Sequence, residues 1–349
     1  MERLTALAAV LLIPVIGFGQ VFVSNVSKTG TAAAAFLEIP VGAPAVAMGS
    51  AFVSMANDAS ALYWNPAGAA QLPQNEALAL HTNWIADTRF DFGGYVLPLG
   101  SFGTLGFSVT SLTMGDMKVT TVEQPDGTGE YFSASDVAAG ISYARQLSDR
   151  FTVGFTAKYI QETIWHESAN AVAIDLGTLF RTDLLGGMVI GASLSNFGTS
   201  MQLSGRDVRQ FIRIDPTKEG TNGQIPTDIE LDSWNLPLLF QLGVSVNAVK
   251  NDEYRWTVAM DALHPSDNYE SVNVGTEFAF QDILFLRGGF TSPFFKNMTG
   301  VDSEGGLSLG VGLASGSFLS PTTTVKFDYA YRDMGRLEGI HVFSVAVRF

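Results

Sequence analysis

Phe151-Thr152-Val153-Gly154-Phe155-Thr156-Ala157-Lys158-Tyr159 decides the architecture. Its apolar residues fall at every second position and are separated by Thr, Gly, Thr and Lys, which is the period of a strand and not of a helix. The same alternation recurs on both sides. Leu236, Leu238, Phe240, Leu242, Val244 and Val246 are interleaved with residues such as Gln241, Gly243, Ser245 and Asn247. Tyr254, Trp256, Val258 and Met260 alternate with Arg255, Thr257, Ala259 and Asp261. Leu307 to Leu313 repeats the pattern over Ser and Gly, and Phe343, Val345, Val347 and Phe349 carry it to the last residue. Each segment has one apolar, aromatic face and one small or polar face.

About 14 such segments follow one another, most near the ~10 residues that a tilted strand needs to cross a bilayer. Their expected starts are residues 76, 89, 102, 134, 151, 169, 187, 235, 252, 269, 282, 305, 322 and 339. Even-numbered connections are short: Pro98-Leu99-Gly100-Ser101, Gln146 to Arg150, Thr182 to Gly186, Lys250-Asn251 and Gln281-Asp282. The long ones, about 114–133, 162–168, 198–234 and 290–304, are odd-numbered, although the first, near Ala86-Asp87-Thr88, is short. Short turns at one end and loops at the other are the pattern of an outer-membrane barrel. In hydrocarbon every backbone N–H and C=O needs an internal partner, and a sheet provides this only by closing on itself. The apolar face then meets lipid and the small or polar face meets the lumen. A secreted β-sandwich or propeller is the alternative, but neither has a reason to sort its loops by parity.

Composition agrees. Only 15% of the 349 residues are charged, where a soluble domain carries roughly 25%. The net charge of −14 argues against a nucleic-acid partner, because phosphate binding needs basic surface. Cysteine is absent, so disulfides, thiolate zinc sites and a cysteine nucleophile are excluded. Residues 1–20 read as a secretory signal: Arg3, an apolar Leu4–Phe18 run broken by Pro14, and small Gly17 and Gly19 for cleavage. The expected division is a signal over 1–20, a hatch or plug over 21–75 and a barrel over 76–349.

The segment 31–74 lacks alternation and is rich in Ala and Gly. Val46 to Met55 is expected as a short helix, Asp58-Ala59-Ser60 as a turn or cap, and Asn65-Pro66 as a helix start with Asn capping and Pro first. Such a segment is expected to pack inside or beneath the barrel. Val41-Gly42-Ala43-Pro44-Ala45, Met48-Gly49-Ser50-Ala51-Phe52 and Asn57-Asp58-Ala59-Ser60-Ala61-Leu62-Tyr63-Trp64-Asn65-Pro66-Ala67-Gly68 resemble the PorV/PorQ family of outer-membrane proteins. Asn65-Pro66-Ala67 also resembles the hatch of FadL-type long-chain fatty-acid transporters. The chain departs from the family where members often carry Arg (Pro44 here) and Gly (Ser50 here). The resemblance implies an all-β, transmembrane antiparallel, FadL-like barrel with its N-terminus folded inward, which agrees with the strand count.

The hatch residues Asp58, Tyr63, Trp64, Asn65 and Pro66 are the first candidate site, as a gate or ligand contact; a plain turn at Asn65-Pro66 and a gap-filling Trp64 would explain the same residue types. The second is the loop 198–234, where Arg206, Arg209, Phe211 and Arg213 stand among Asp207, Asp215, Lys218, Glu219 and Asp228 as a docking surface for a partner. Phe349 resembles the C-terminal aromatic read by the barrel-assembly machinery. No catalytic constellation, cofactor site or metal site is legible: His166-Glu167 lacks the second His, since position 170 is Asn170. An enzyme is not expected. The partners expected are outer-membrane lipid and the assembly machinery. The resemblance implies, as its main reading, an accessory of type IX protein secretion that binds a translocon subunit or exported proteins. The alternative it implies is a channel for a hydrophobic small molecule held in the lumen.

Overall fold

The computed structural model describes residues 30–213, 215, 217, 225–291, 306–316 and 322–349. The expected signal segment and the Lys218-Glu219 pair lie outside them. Alternation becomes strand in every expected place: β1 Glu76–Asn83, β2 Arg89–Pro98, β3 Thr104–Thr113, β4 Ala134–Gln146, β5 Phe151–Ile164, β6 Glu167–Arg181, β7 Val189–Gly198, β8 Leu239–Lys250, β9 Tyr254–Pro265, β10 Ser271–Phe280, β11 Leu284–Thr291, β12 Leu307–Ala314, β13 Thr324–Asp333 and β14 Gly339–Arg348. Each strand pairs antiparallel with its sequence neighbours. β1 also pairs with β14, from Glu76 opposite Arg348 to Thr82 opposite Val342, and so closes the barrel. A two-residue piece, Ser204–Gly205, adds to β6.

One expected loop is absent. Residues 162–168 are not a long connection: β5 and β6 run on to a tight hairpin whose tip is Trp165-His166, with Ile164 paired to Glu167. The alternation had ended at Tyr159, but polar residues beyond it still pair across the hairpin. Cross-strand hydrogen bonding, not side-chain polarity, sets the strand length there. Two of the other long connections carry their own ribbons, Met117–Lys118 with Tyr131–Phe132, and Arg209–Ile212 with Ile225–Asp228, and the one expected over 290–304 lies, past residue 291, outside the described residues. No helix among the described residues is long and apolar enough to cross a membrane.

The outward face carries the apolar set. Phe155, Tyr159, Ile174, Phe240, Trp256, Leu309, Phe327 and Phe343 are all exposed, while their alternates Thr156, Asp175, Gln241, Thr257, Ser308, Asp328 and Ser344 are buried. This inside-out burial is the signature of a sheet whose outer solvent is lipid.

What the inward residues bury is the N-terminal segment. Nearly every residue from Ala34 to Leu72 is buried. The expected helix over 46–55 is not formed. The chain is helical over Ala43–Ala47, with Pro44 in its first turn. It then turns at Gly49 and Ser50, whose φ values of 63° and 64° no helix interior allows. Ser50 thus holds the left-handed conformation that glycine adopts without cost. Further on, Ala61–Trp64 is a single helical turn and Pro66–Gln71 a 3-10 turn.

The wall admits this segment because it lacks side chains where the two meet. A Cβ at Gly289 would stand 2.1 Å from the Met48 carbonyl carbon, and one at Gly275 2.4 Å from the Met48 oxygen. Gly154 and Gly177 make the same room for Pro66 and Asn65. Replacing Gly289 with Val is therefore expected to displace the hatch without opening the sheet. The variant should keep the heat-modifiable gel mobility of a closed barrel while residues 40–56 become cleavable by added protease.

Candidate functional site

The hatch is held by polar wall residues that satisfy its irregular backbone. Asp261 Oδ2, on β9, accepts from the N–H groups of Phe52 and Val53 at 2.7 and 2.8 Å. Glu76 Oε1 on β1 accepts from Ala59 N–H at 2.7 Å, while its Oε2 accepts from Arg348 Nη2 at 2.6 Å. Glu162 Oε1 accepts from Ala34 N–H at 2.9 Å. These wall acids lie in the polar alternation of their strands, a signal that marks them as lumen-facing and says nothing of what they hold.

All five hatch residues singled out from the sequence sit in this packing. Asp58 Oδ1 accepts from Ser60 N–H and Ser60 Oγ–H, which makes the expected turn. Tyr63 O–H donates to Leu37 O at 3.1 Å and Trp64 Nε1–H to Val41 O at 2.7 Å, tying the helical turn to the chain before it. Asn65 Oδ1 accepts from Ala67 N–H as the expected cap. Its Nδ2 also donates to Val53 O and to Thr178 O of β6, both at 3.0 Å. Asn65 thus joins two hatch segments to the wall. Burial, with the charges of Glu38 and Asp175, pushes the Tyr63 phenol well above its ordinary pKa, against an opposing effect from Arg332.

Between hatch and wall on the β3–β8 side lies a small void of about 40 Å³ lined by residues that include Leu62, Tyr63, Ser108, Gly140, Lys158 and Asn196. On the lipid side of the same strands lies a groove of about 1130 Å³. Its floor is Gly93, Ala139 and Ala157, and Tyr95, Phe107, Ile141, Tyr159, Ile174 and Phe197 surround it. Ser108, Gly140 and Lys158 line both spaces, so one layer of backbone separates them. Beside this thin place β7 bulges: from Ile174 to Leu176 its partners skip from Phe197 to Leu194, one residue extra. Asn196 takes φ 64° there. The bulge is held from inside, where Asp175 Oδ1 accepts from Asn196 N–H at 2.8 Å and pairs with Lys158 Nζ at 2.9 Å. Lys158 also donates to Asn196 Oδ1. Bulges bend a strand and end its regular pairing. The sequence reading missed this site, because a bulge is set by pairing and leaves no mark in the alternation. The Lys at position 158 among Thr and Ala was the one visible signal.

At the turn end the lumen is charged. Arg287 lies between Glu277 and Asp328, at 2.7 Å from each, and a space of about 440 Å³ is lined by Asp58, Glu76, Arg255, Glu277, Lys326 and Arg348 among others. At the loop end a third space, about 340 Å³, lies against the 3-10 turn Ala35–Glu38.

The second candidate set is not brought to one place. Arg206 Nη2 donates to His166 Nε2 at 2.8 Å, and His166 Nδ1 lies 2.8 Å from Asp207, so the loop start is pinned to the β5–β6 tip. Arg209 pairs loosely with Asp228 at 3.3 Å across the exposed ribbon. Phe211 is 67% exposed on that ribbon, and Arg213 is exposed beyond its end. Phe349 faces outward, and its N–H donates to Asn75 O at 2.9 Å.

A closed 14-strand antiparallel barrel with an apolar outside and a packed lumen is the architecture of a membrane-spanning β-barrel. Residues 20–158 match the model of an uncharacterised protein family, UPF0164. No curated protein sequence matches the chain. Among solved structures, the CymD monoaromatic hydrocarbon channel is similar with a TM-score of 0.54 at 12% identity, over 89% of this chain and 98% of that one. The Pseudomonas putida toluene transporter TodX gives 0.53 at 13% identity, over 88% and 96%. A Pseudomonas aeruginosa FadL homologue gives 0.51 at 12%, over 88% and 98%. At this identity the likeness is one of fold.

Two measurements test the site. Asn65→Ala removes a cap and leaves two carbonyls short of a donor, so it should loosen the hatch by roughly 1–3 kcal/mol, read as faster hydrogen exchange over residues 52–68. Glu38, at the end of the 3-10 turn Ala35–Glu38 with Asp267 beside it, has its pKa pushed up from 4.5 to about 7, first by partial desolvation and then by the charge of Asp267. The folded state therefore holds this proton more tightly than the unfolded chain. That contribution to stability is full below pH 4.5 and lost as the pH rises through about 7. Protection factors over residues 34–39 should fall from pH 5 to pH 8, and Glu38→Gln should flatten that fall.

Proposed function

We propose that this protein is an outer-membrane channel for hydrophobic small molecules, which leave the barrel sideways through the wall between β2 and β7. The observation that carries the reading is the apolar groove set back to back with the internal void, one backbone layer apart, beside the β7 bulge. A path straight down the axis meets the buried hatch and then the charged turn end. An apolar solute gains nothing there, because those charges would have to give up their partners or their water. The wall groove is the apolar surface nearest the lumen. Asn65 and Pro66 then act as the latch that holds the hatch against β6, and Lys158 with Asp175 holds the bulge shut or open.

The solved barrels of similar fold support this solute-channel reading over the secretion accessory, since two of them are described as a hydrocarbon channel and a toluene transporter. The resemblance to secretion barrels is strongest over residues 41–68, and these are packed inside the lumen. Hatch packing accounts for those residue types without a secretion partner, which favours the channel reading.

Gly93 is the position to alter. A Cβ there meets nothing within 4 Å, so Gly93→Phe fills the groove without disturbing the sheet. In proteoliposomes, uptake of a neutral tracer such as 4-isopropyltoluene should fall roughly tenfold, the cost of blocking a path by ~1.4 kcal/mol or more. Unchanged uptake in an assembled Gly93→Phe barrel would remove the lateral route.

A further inference from the structure

The cavity of about 340 Å³ at the loop end is chemically unlike the groove and unlike the charged turn end. Its walls are Phe36, Ile39, Trp84, Leu112 and Met334, with two ionisable side chains, Glu38 and Arg332. Glu38 lies beside Asp267, whose charge raises its pKa. Arg332 comes from β13, two positions beyond buried Ala330 and on the same inward face. Its Nε–H is buried with no hydrogen-bond partner, and among the described residues no carboxylate lies within ion-pair distance of it.

This sets Arg332 apart from the other lumen cations. Lys158 pairs with Asp175, Arg255 with Glu277, Arg287 with Glu277 and Asp328, Lys326 with Asp328, and Arg348 with Glu76. A buried Nε–H without an acceptor is costly unless something else supplies one. The planar fork of a guanidinium matches a carboxylate in two parallel hydrogen bonds. The neighbouring surface dictates the rest of the ligand. It is apolar and offers two ring faces, Phe36 and Trp84, suited to offset or edge-on aromatic packing. The space is near the lower end of the ~300–1,000 Å³ range of small-molecule sites, so it takes a compact body and not an extended chain.

We propose that this cavity binds a compact aromatic monocarboxylate, with the carboxylate on Arg332 and the ring between Phe36 and Trp84. The proposal rests on the channel reading for what happens after binding, and it names the polar end of the solute. Arg332 is then a specificity-determining residue that selects an anion over the neutral hydrocarbon of the same shape.

The test uses the full-length protein in detergent, titrated calorimetrically with 4-isopropylbenzoate, with 4-isopropyltoluene (the same body with a methyl in place of the carboxylate) and with dodecanoate. The native protein should bind the aromatic acid more tightly than the other two. Arg332→Met should weaken the acid at least ~10-fold, as loss of a charge-assisted bidentate pair requires, and leave 4-isopropyltoluene nearly unchanged. Arg332→Lys should fall between. Heat-modifiable gel mobility verifies that each variant is an assembled barrel. Equal affinity for acid and hydrocarbon, an acid affinity indifferent to Arg332→Met, or tighter binding of dodecanoate would each overturn the proposal. If the acid fails to bind while Gly93→Phe still blocks tracer uptake, this site falls and the channel stands. Arg332-dependent binding with uptake indifferent to Gly93→Phe would leave the site and remove the lateral route.

Discussion

The contact between the irregular hatch backbone and the inner face of the sheet is the constraint on which the rest depends. A chain without regular structure carries N–H and C=O groups that water normally satisfies, and inside a barrel the wall must do so instead. The wall does this with a few carboxylates, Asp261, Glu76 and Glu162, each aimed at hatch N–H groups. It does it at close range because Gly154, Gly177, Gly275 and Gly289 present no side chain. A hatch held by backbone contacts is seated in one position, and the spaces left around it are consequences of that seating.

Those spaces mark three chemically distinct regions of the barrel. Towards β9–β14 at the turn end, paired charges exclude apolar matter. Towards β2–β7, Gly and Ala thin the wall, and the bulge at Asn196 interrupts its pairing. At the loop end, apolar side chains gather around Arg332, whose buried Nε–H has no acceptor among the described residues. In the channel proposed above, these regions would serve in turn as an anchored entry, a seated hatch beside a small void, and an apolar exit. The Lys158–Asp175 pair sits where void and groove meet.

The strand reading was nearly complete because a membrane barrel writes its structure locally. Lipid outside and side chains inside force a strict period of two, and each expected start falls within four residues of the observed strand. The errors came where that force is weak. At the β5–β6 tip, polar residues stand clear of the apolar alternation, so Trp165-His166 read as a loop. In the hatch, Ala and Gly carry little periodic signal, and the helix expected over 46–55 yields at Gly49 and Ser50, where the wall presses closest.

By itself the sequence determined the barrel, the strand count, the lumen-facing set and the cap at Asn65, because each follows from near neighbours in the chain. Only the tertiary structure decided which lumen residues meet. Arg332 and Trp84 are 248 positions apart yet line one cavity, and Lys158, Asp175 and Asn196 come together across three strands. Closure of the sheet and the seating of the hatch set those distances, and both are properties of register and packing that no local pattern encodes.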